Sequence, residues 1–234
     1  TQPCSSAASD VYKRQVDCVT SLGACNVPID EWDLDIVASG SQKGYMIPPG
    51  LSFVTMSQKA WKAAEKSNLP KFYLNLKSYR KSLLTNSNPY TPAVNLFFAL
   101  DEALKMMREE GLNNIFLRHK KHQLAISNAV KVLNLKLFAD EKYLSPSITA
   151  IKTGEMDAEE FRKTIKNKFD ILLAGGQDHL KGKIFRVGHL GYVNHRDIIT
   201  VVSAISNTLL DLGKITSEQA GEALVVASKY LEEN

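Results

Sequence analysis

The sequence predicts an α/β fold on three observations. Short apolar runs of strand length, broken by Gly, Pro and Asp, begin after Asp17, and segments with apolar residues three and four apart begin near Ser57. The second half then alternates the two patterns in the order β-α-β-β-α-α, which suits a small sandwich with an antiparallel component. At 234 residues with 44% hydrophobic content, the chain can bury a sizeable core.

Taken in order, residues 1–15 carry neither a helical nor a strand period, and they are expected to be poorly ordered. Strands are expected over 34–39, leading into Gly40-Ser41-Gln42-Lys43-Gly44, and over 51–56, after the turn Pro48-Pro49-Gly50. Lys43 therefore falls in a tight loop between strands. Residues 57–67 read as a helix and 68–89 as a looser segment. A helix over 92–110 carries Val94, Phe97, Leu100, Ala103, Leu104 and Met107 on one stripe, with Thr91 as N-cap, Pro92 as first helical residue and Gly111 just past its end. Helix is expected again over 117–132, 158–168, 196–212 and 217–231, with strands at 147–152 and near 171–174 and 184–187. The change of pattern puts a domain boundary near residue 111.

Lys and Arg number 29 against 25 Asp and Glu, a formal charge of +4 spread along the chain, so no nucleic-acid partner is expected. The one basic cluster, Arg118-His119-Lys120-Lys121-His122, reads as a solvated helix face. No Cys, Asp or Glu stands at ligand spacing beside its histidines, so no metal site is expected. Cys4, Cys18 and Cys25 are odd in number and lack CxxC spacing, which suits a reducing cytoplasmic compartment. No apolar run approaches a membrane span and Thr1-Gln2-Pro3-Cys4 lacks the order of a signal peptide, so no membrane is expected among the partners.

The chemistry is concentrated in two stretches, Val16-Asp17-Cys18-Val19-Thr20-Ser21-Leu22-Gly23 and Asp33-Leu34-Asp35-Ile36-Val37-Ala38-Ser39-Gly40-Ser41-Gln42-Lys43-Gly44, the second continued by Met46-Ile47-Pro48-Pro49-Gly50-Leu51. In this order and spacing they closely resemble the cofactor-binding pattern of class V pyridoxal-phosphate (PLP) aminotransferases. The continuation narrows the resemblance to the alanine:glyoxylate, serine:glyoxylate and serine:pyruvate branch, which includes bacterial proteins labelled soluble hydrogenase small subunits. The fold this implies is the C-terminal part of a fold type I PLP-dependent transferase. Residues 16–111 would be the remainder of the PLP-binding large domain with a partial sheet, and residues 112–234 the small C-terminal α/β domain. The family's chains extend further at the N-terminus, where a phosphate-binding loop and a ring-stacking aromatic lie. Residues 1–15 do not match the family's pattern and are read as a disordered or artefactual start.

By the resemblance, Lys43 forms the internal aldimine with pyridoxal 5'-phosphate and serves as the base that moves the substrate's proton. Asp17 would pair with the pyridinium nitrogen, Val19 would pack on a ring face, and Ser21 and Gln42 would be polar contacts around the cofactor. The segment Asn88-Pro89-Tyr90-Thr91-Pro92-Ala93-Val94 would reach across a homodimer, Thr91 and Asn88 meeting the phosphate of the partner's cofactor. In Lys183-Ile184-Phe185-Arg186-Val187-Gly188, Arg186 would bind the substrate carboxylate as a bidentate fork. The preceding Gly175-Gly176-Gln177-Asp178 is not a dinucleotide fingerprint and reads as a mobile loop beside the site. The activity implied is transamination between a small amino acid, serine or alanine, and glyoxylate or pyruvate. Cysteine desulfurases share the fold but need a cysteine well after the lysine, and none follows Cys25. The alternative is a catalytically incomplete fragment that only dimerises or binds a partner.

Overall fold

The computed structural model describes residues 14–232, so the expectations for residues 1–13 lie outside the described residues. The chain divides into two compact units, one of residues 14–22 and 27–109, the other of 23–26 and 110–232.

In the first unit, β1 (Gln15–Asp17), β2 (Ile36–Gly40) and β3 (Ser52–Met56) form a sheet in that order. β1 runs parallel to β2 with Asp17 opposite Ala38, and β3 runs antiparallel to β2 with Ser52 opposite Gly40. Nothing in the local pattern marks β1 as a strand; its partner imposes it. Asp35 is 1% exposed and is the residue that ties three elements together. Its carboxylate accepts the Arg14 backbone N–H (2.9 Å) and the Ser57 hydroxyl (2.6 Å), while the Asp35 and Ile36 N–H groups donate to the Arg14 carbonyl. The Ser57 oxygen also accepts from the Ala60 N–H (3.0 Å), capping α1 (Gln58–Lys66).

The stretch expected to be loose contains α2 (Leu76–Leu83), capped by Asn75, whose side chain accepts the Lys77 N–H. Its sequence has no continuous apolar stripe, and none of its residues is buried. α3 (Val94–Glu110) starts later than expected: the Val94 N–H donates to the Pro92 carbonyl, and Thr91 and Pro92 lie outside the helix. Thr91 is thus not the N-cap. Of the expected stripe, Ala103 and Met107 are buried, whereas Val94 and Phe97 are exposed, so only the second half of α3 is covered among the described residues.

In the second unit, the φ of +82° at Gly111 lets the chain turn directly into α4 (Leu112–Val132). There follow β4 (Lys136–Leu137), β5 (Ile148–Lys152), α5 (Ala158–Phe169), β6 (Ala174–Gly175), β7 (Ile184–Gly188), α6 (His195–Asp211) and α7 (Ser217–Glu232). The strands form one antiparallel sheet in the order β4-β5-β7-β6. Asp157 caps α5, and Asn194 with Asp197 forms a capping box on α6. Ile151, Phe185 and Val187 from one sheet face pack with Ile126, Ile165, Ile205 and Leu209 from the helices, the core of this unit. Arg186 lies between Phe185 and Val187 and so belongs to the opposite sheet face. No helix among the described residues is long and apolar enough to cross a membrane.

Candidate functional site

β1 and β2 are parallel neighbours, and both end where the candidate residues begin. Asp17 closes β1, with its Oδ1 accepting the Val19 N–H (2.9 Å) in a tight turn and the Cys18 N–H donating to the Ala38 carbonyl. Ser21 is half-buried and donates its N–H to the Cys18 carbonyl. β2 ends at Gly40, where a Cβ would stand 3.1 Å from Gln42 Oε1 and 3.8 Å from Val19 Cγ1. The bare glycine, the valine, the glutamine and the aspartate are thereby gathered at the carboxyl ends of two adjacent parallel strands, where α/β sheets bind their ligands.

Lys43 is half-buried in the turn over residues 41–45 between β2 and β3. Ser41, fully buried, holds this loop: its hydroxyl donates to the Pro48 carbonyl (2.8 Å) and accepts the Leu51 N–H (3.2 Å). The Met46 N–H donates to the Lys43 carbonyl, and Met46 itself takes a left-handed φ of +64°. That conformation costs a non-glycine residue about 1–2 kcal/mol, so the loop beside the lysine is held in shape by its surroundings. Ser41 carries no role in the sequence motif as such, although its place beside Gln42 and Lys43 signals one.

Asn88 and Thr91 are both exposed and line an open cavity of about 920 Å³ with Tyr73, Asn86, Tyr90 and Pro92. Tyr90 packs against Phe72, Tyr73 and Tyr79 and donates its hydroxyl to the Phe72 carbonyl (2.9 Å). An anion here would meet side chains and loop backbone; the free end of α3 lies further along the chain.

In the second unit, the Arg186 Nε–H donates to the Gly175 carbonyl (2.8 Å), and its terminal nitrogens bond no other described residue. Gly175 belongs to β6, and the Gly176 N–H donates to the Ile184 carbonyl, so the segment expected to be a mobile loop starts as sheet. The expected solvated face of α4 is also corrected: His119 and His122 are fully buried. Helical geometry turns positions 119, 122, 126 and 129 to one side, while the lysines at 120 and 121 leave it. His119 Nδ1 donates to the Ile115 carbonyl (2.7 Å), and its Nε2 accepts the Gly191 N–H (3.2 Å), an arrangement that fixes a neutral ring. Arg118 bonds both oxygens of Glu110 and reaches the carbonyls of Gly191 and Val193. His189 Nε2 meets the Thr149 hydroxyl (2.9 Å), and His122 packs edge-on against His195. Burial drives His122 down to about 3, with His195 and Arg118 adding to the effect, and burial drives His189 down to about 4.

The α/β fold matches that of solved PLP-dependent aminotransferases. The particular family is established by comparison: the profile described as Aminotransferase class-V matches residues 10–181, and the chain belongs to that family. It is 56% identical over 92% of its length to the "Soluble hydrogenase, small subunit" of a Synechococcus species, covering 56% of that protein. It is 36% identical over 94% of its length to the serine–glyoxylate aminotransferase of Methylorubrum extorquens, again covering 56% of the relative. Among solved structures, the ureidoglycine–glyoxylate aminotransferase of Bacillus subtilis superimposes with a TM-score of 0.85 at 28% identity, over 93% of this chain and 58% of that one. The chain thus spans little more than half the length of these relatives.

Proposed function

We propose that this chain carries the cofactor-anchoring lysine and the substrate-binding arginine of a PLP-dependent aminotransferase. The reaction would move an amino group from a small amino acid, serine or alanine, to glyoxylate or pyruvate. The observation that carries the reading is the meeting of Asp17, Val19, Gly40 and Gln42 at the ends of β1 and β2, with Lys43 in the next turn. The donor set fits the cofactor: an amine, a carboxylate, an apolar side chain, and a bare glycine that lets Gln42 Oε1 close in beside Val19, where a Cβ would stand 3.1 Å from that oxygen. The names of the serine–glyoxylate and ureidoglycine–glyoxylate relatives support glyoxylate as the amino acceptor.

When bound, PLP supplies an electron sink for the pair released at the substrate's Cα. Lys43 Nζ would hold it covalently and, once displaced by the amino acid, would take the Cα proton. Asp17 would keep the pyridine nitrogen protonated through a charge-assisted hydrogen bond. Ser21 and Gln42 would add polar contacts, and Asn88 and Thr91, beside their open cavity, would meet the phosphate held by a second subunit of a homodimer. Arg186 would receive the carboxylate of the amino acid or 2-oxo acid on its two terminal nitrogens.

The test is to incubate the chain with PLP, reduce with borohydride and map the adduct by mass spectrometry. The expected result is one adduct on Lys43 and a visible absorbance band that Lys43→Ala removes. An adduct on other lysines alone, or none at saturating cofactor, would refute the reading. A second reading, a non-catalytic remnant that dimerises or binds a partner, is favoured by the exposure of Phe72, Leu74, Leu83, Leu84 and Phe98, each more than 70% accessible. It predicts self-association with no adduct.

A further inference from the structure

Arg186 is held from behind by a small structure built on α5. Arg162 donates its Nε–H to the Leu173 carbonyl (2.7 Å) and its Nη1 to Glu159 Oε2 (2.6 Å), so one side chain ties the helix to the chain entering β6. The other oxygen of Glu159 is buried and has no hydrogen-bond partner among the described residues. The tips of both side chains face Gly175: a Cβ built there would stand 2.5 Å from Glu159 Oε1 and 2.6 Å from Arg162 Nη1. Only a residue without a side chain leaves this contact undisturbed. On the strand's other side, the same Gly175 offers its carbonyl to Arg186 Nε, with β6 and β7 paired in register at Ala174–Arg186 and Gly175–Phe185.

We propose that Glu159, Arg162 and Gly175 are positioning residues for Arg186, fixing the plane and direction of its guanidinium for an end-on carboxylate. The inference rests on the functional reading above for what Arg186 binds, but its geometry does not. The Nε–H bond lies in the guanidinium plane, so anchoring it to a strand carbonyl fixes that plane. With Nε engaged, a side-on fork through Nε and one terminal nitrogen is blocked. The Nη1–Nη2 edge remains, and it matches the two oxygens of a carboxylate. Arg162 and the ion pair hold that carbonyl in place by bracing the strand at Leu173 and at Gly175.

The experiment follows the Arg186 Nε–Hε signal by NMR in the full chain, identified by its loss in Arg186→Lys, and then titrates pyruvate. In the unaltered chain the Hε should exchange slowly with water. Arg162→Ala and Gly175→Ala should each speed this exchange and weaken pyruvate binding by about tenfold, the loss of one hydrogen bond's worth of order. Arg162→Lys, which keeps the charge but cannot hold Leu173 and Glu159 together, should fall between. Lys168→Ala removes a different ion pair of α5, to Asp211, and should alter neither quantity. If Arg162→Ala fails to fold, Gly175→Ala carries the test, because its clash falls on the ends of two flexible side chains. Unchanged Hε exchange in both Arg162→Ala and Gly175→Ala overturns the proposal. Pyruvate binding unchanged in Arg186→Ala overturns instead the functional reading of Arg186, and the exchange rates still judge the positioning.

Discussion

At the scale of single residues, Arg186 and Asp17 make the two sharpest claims on chemistry. A carboxylate bound by both terminal nitrogens of Arg186 gains about 1.5–3 kcal/mol per charged hydrogen bond. Arg186→Ala should therefore weaken serine, alanine and glyoxylate together by about tenfold or more while PLP binding survives. Arg186→Lys should recover part of the loss, since lysine keeps charge without the planar fork. Spectral titration of the PLP-loaded chain reads both, and equal affinities in the chain and its alanine variant would remove the carboxylate clamp. For Asp17→Asn, cofactor attachment to Lys43 should persist while single-turnover amino transfer from serine slows by orders of magnitude, because an unprotonated ring is the poorer electron sink. An unchanged rate would take Asp17 out of its role. The positions of Gln42 and Lys43 were legible because a loop motif is local: the two need only the end of β2 to be presented. The Glu159, Arg162 and Gly175 support was not readable, since what makes Gly175 necessary is a helix passing beside it.

At the scale of elements, the same contrast separates α1 and α5 from β1. Residues 57–67 announce a helix through their period and their Ser57 cap, and α1 follows that reading closely. β1 has three residues and no pattern, so it exists only through β2 and the buried Asp35. Likewise α2 lacks a buried stripe, and periodicity has nothing to detect. Burial alone would raise the Asp35 carboxyl, but the hydrogen bonds from Ser57, Arg14 and Lys59 outweigh it and hold the group below the ordinary carboxylate value. A carboxylate with a depressed folded value stabilises the fold above its unfolded pKa of about 4, and that stability disappears as pH falls through the folded value. Asp35→Asn should accordingly cost about 1–3 kcal/mol at pH 7, where the charge and at least one acceptor are lost. Both tryptophans, Trp32 and Trp61, lie in this unit, so urea unfolding followed by their fluorescence isolates it. A midpoint unmoved by Asp35→Asn would show that Asp35 does not hold β1, β2 and α1 together.

At the scale of the whole molecule, the two units should answer acid differently, because the second buries three histidines that the first lacks. His119, His122 and His189 are fully buried, and Arg118 opposes further positive charge on His119 and His122, as His195 does on His122. Both ring nitrogens of His122 lack a hydrogen-bond partner among the described residues, so no bond stabilises a protonated ring, and burial is the largest cause of its neutrality. The histidine values are depressed, to about 3 for His122 and about 4 for His189, against an unfolded value near 6.5. Between these limits the unfolded chain binds more protons than the folded one, so stability is complete above about pH 6.5 and declines as pH falls towards 4. At pH 5 each ring would contribute a loss on the order of 2 kcal/mol, well before Asp35 is protonated. Hydrogen exchange of α4 and α6, read by mass spectrometry and corrected for intrinsic rates, should rise steeply from pH 7 to pH 5, while the β1–β3 sheet changes little. His122→Phe keeps a planar ring against His195 and removes one titrating group, so it should flatten the dependence by about half. Equal protection of α4 and α6 at both pH values would mean that these rings take up protons inside the fold without opening it, and enclosure would no longer explain their neutrality.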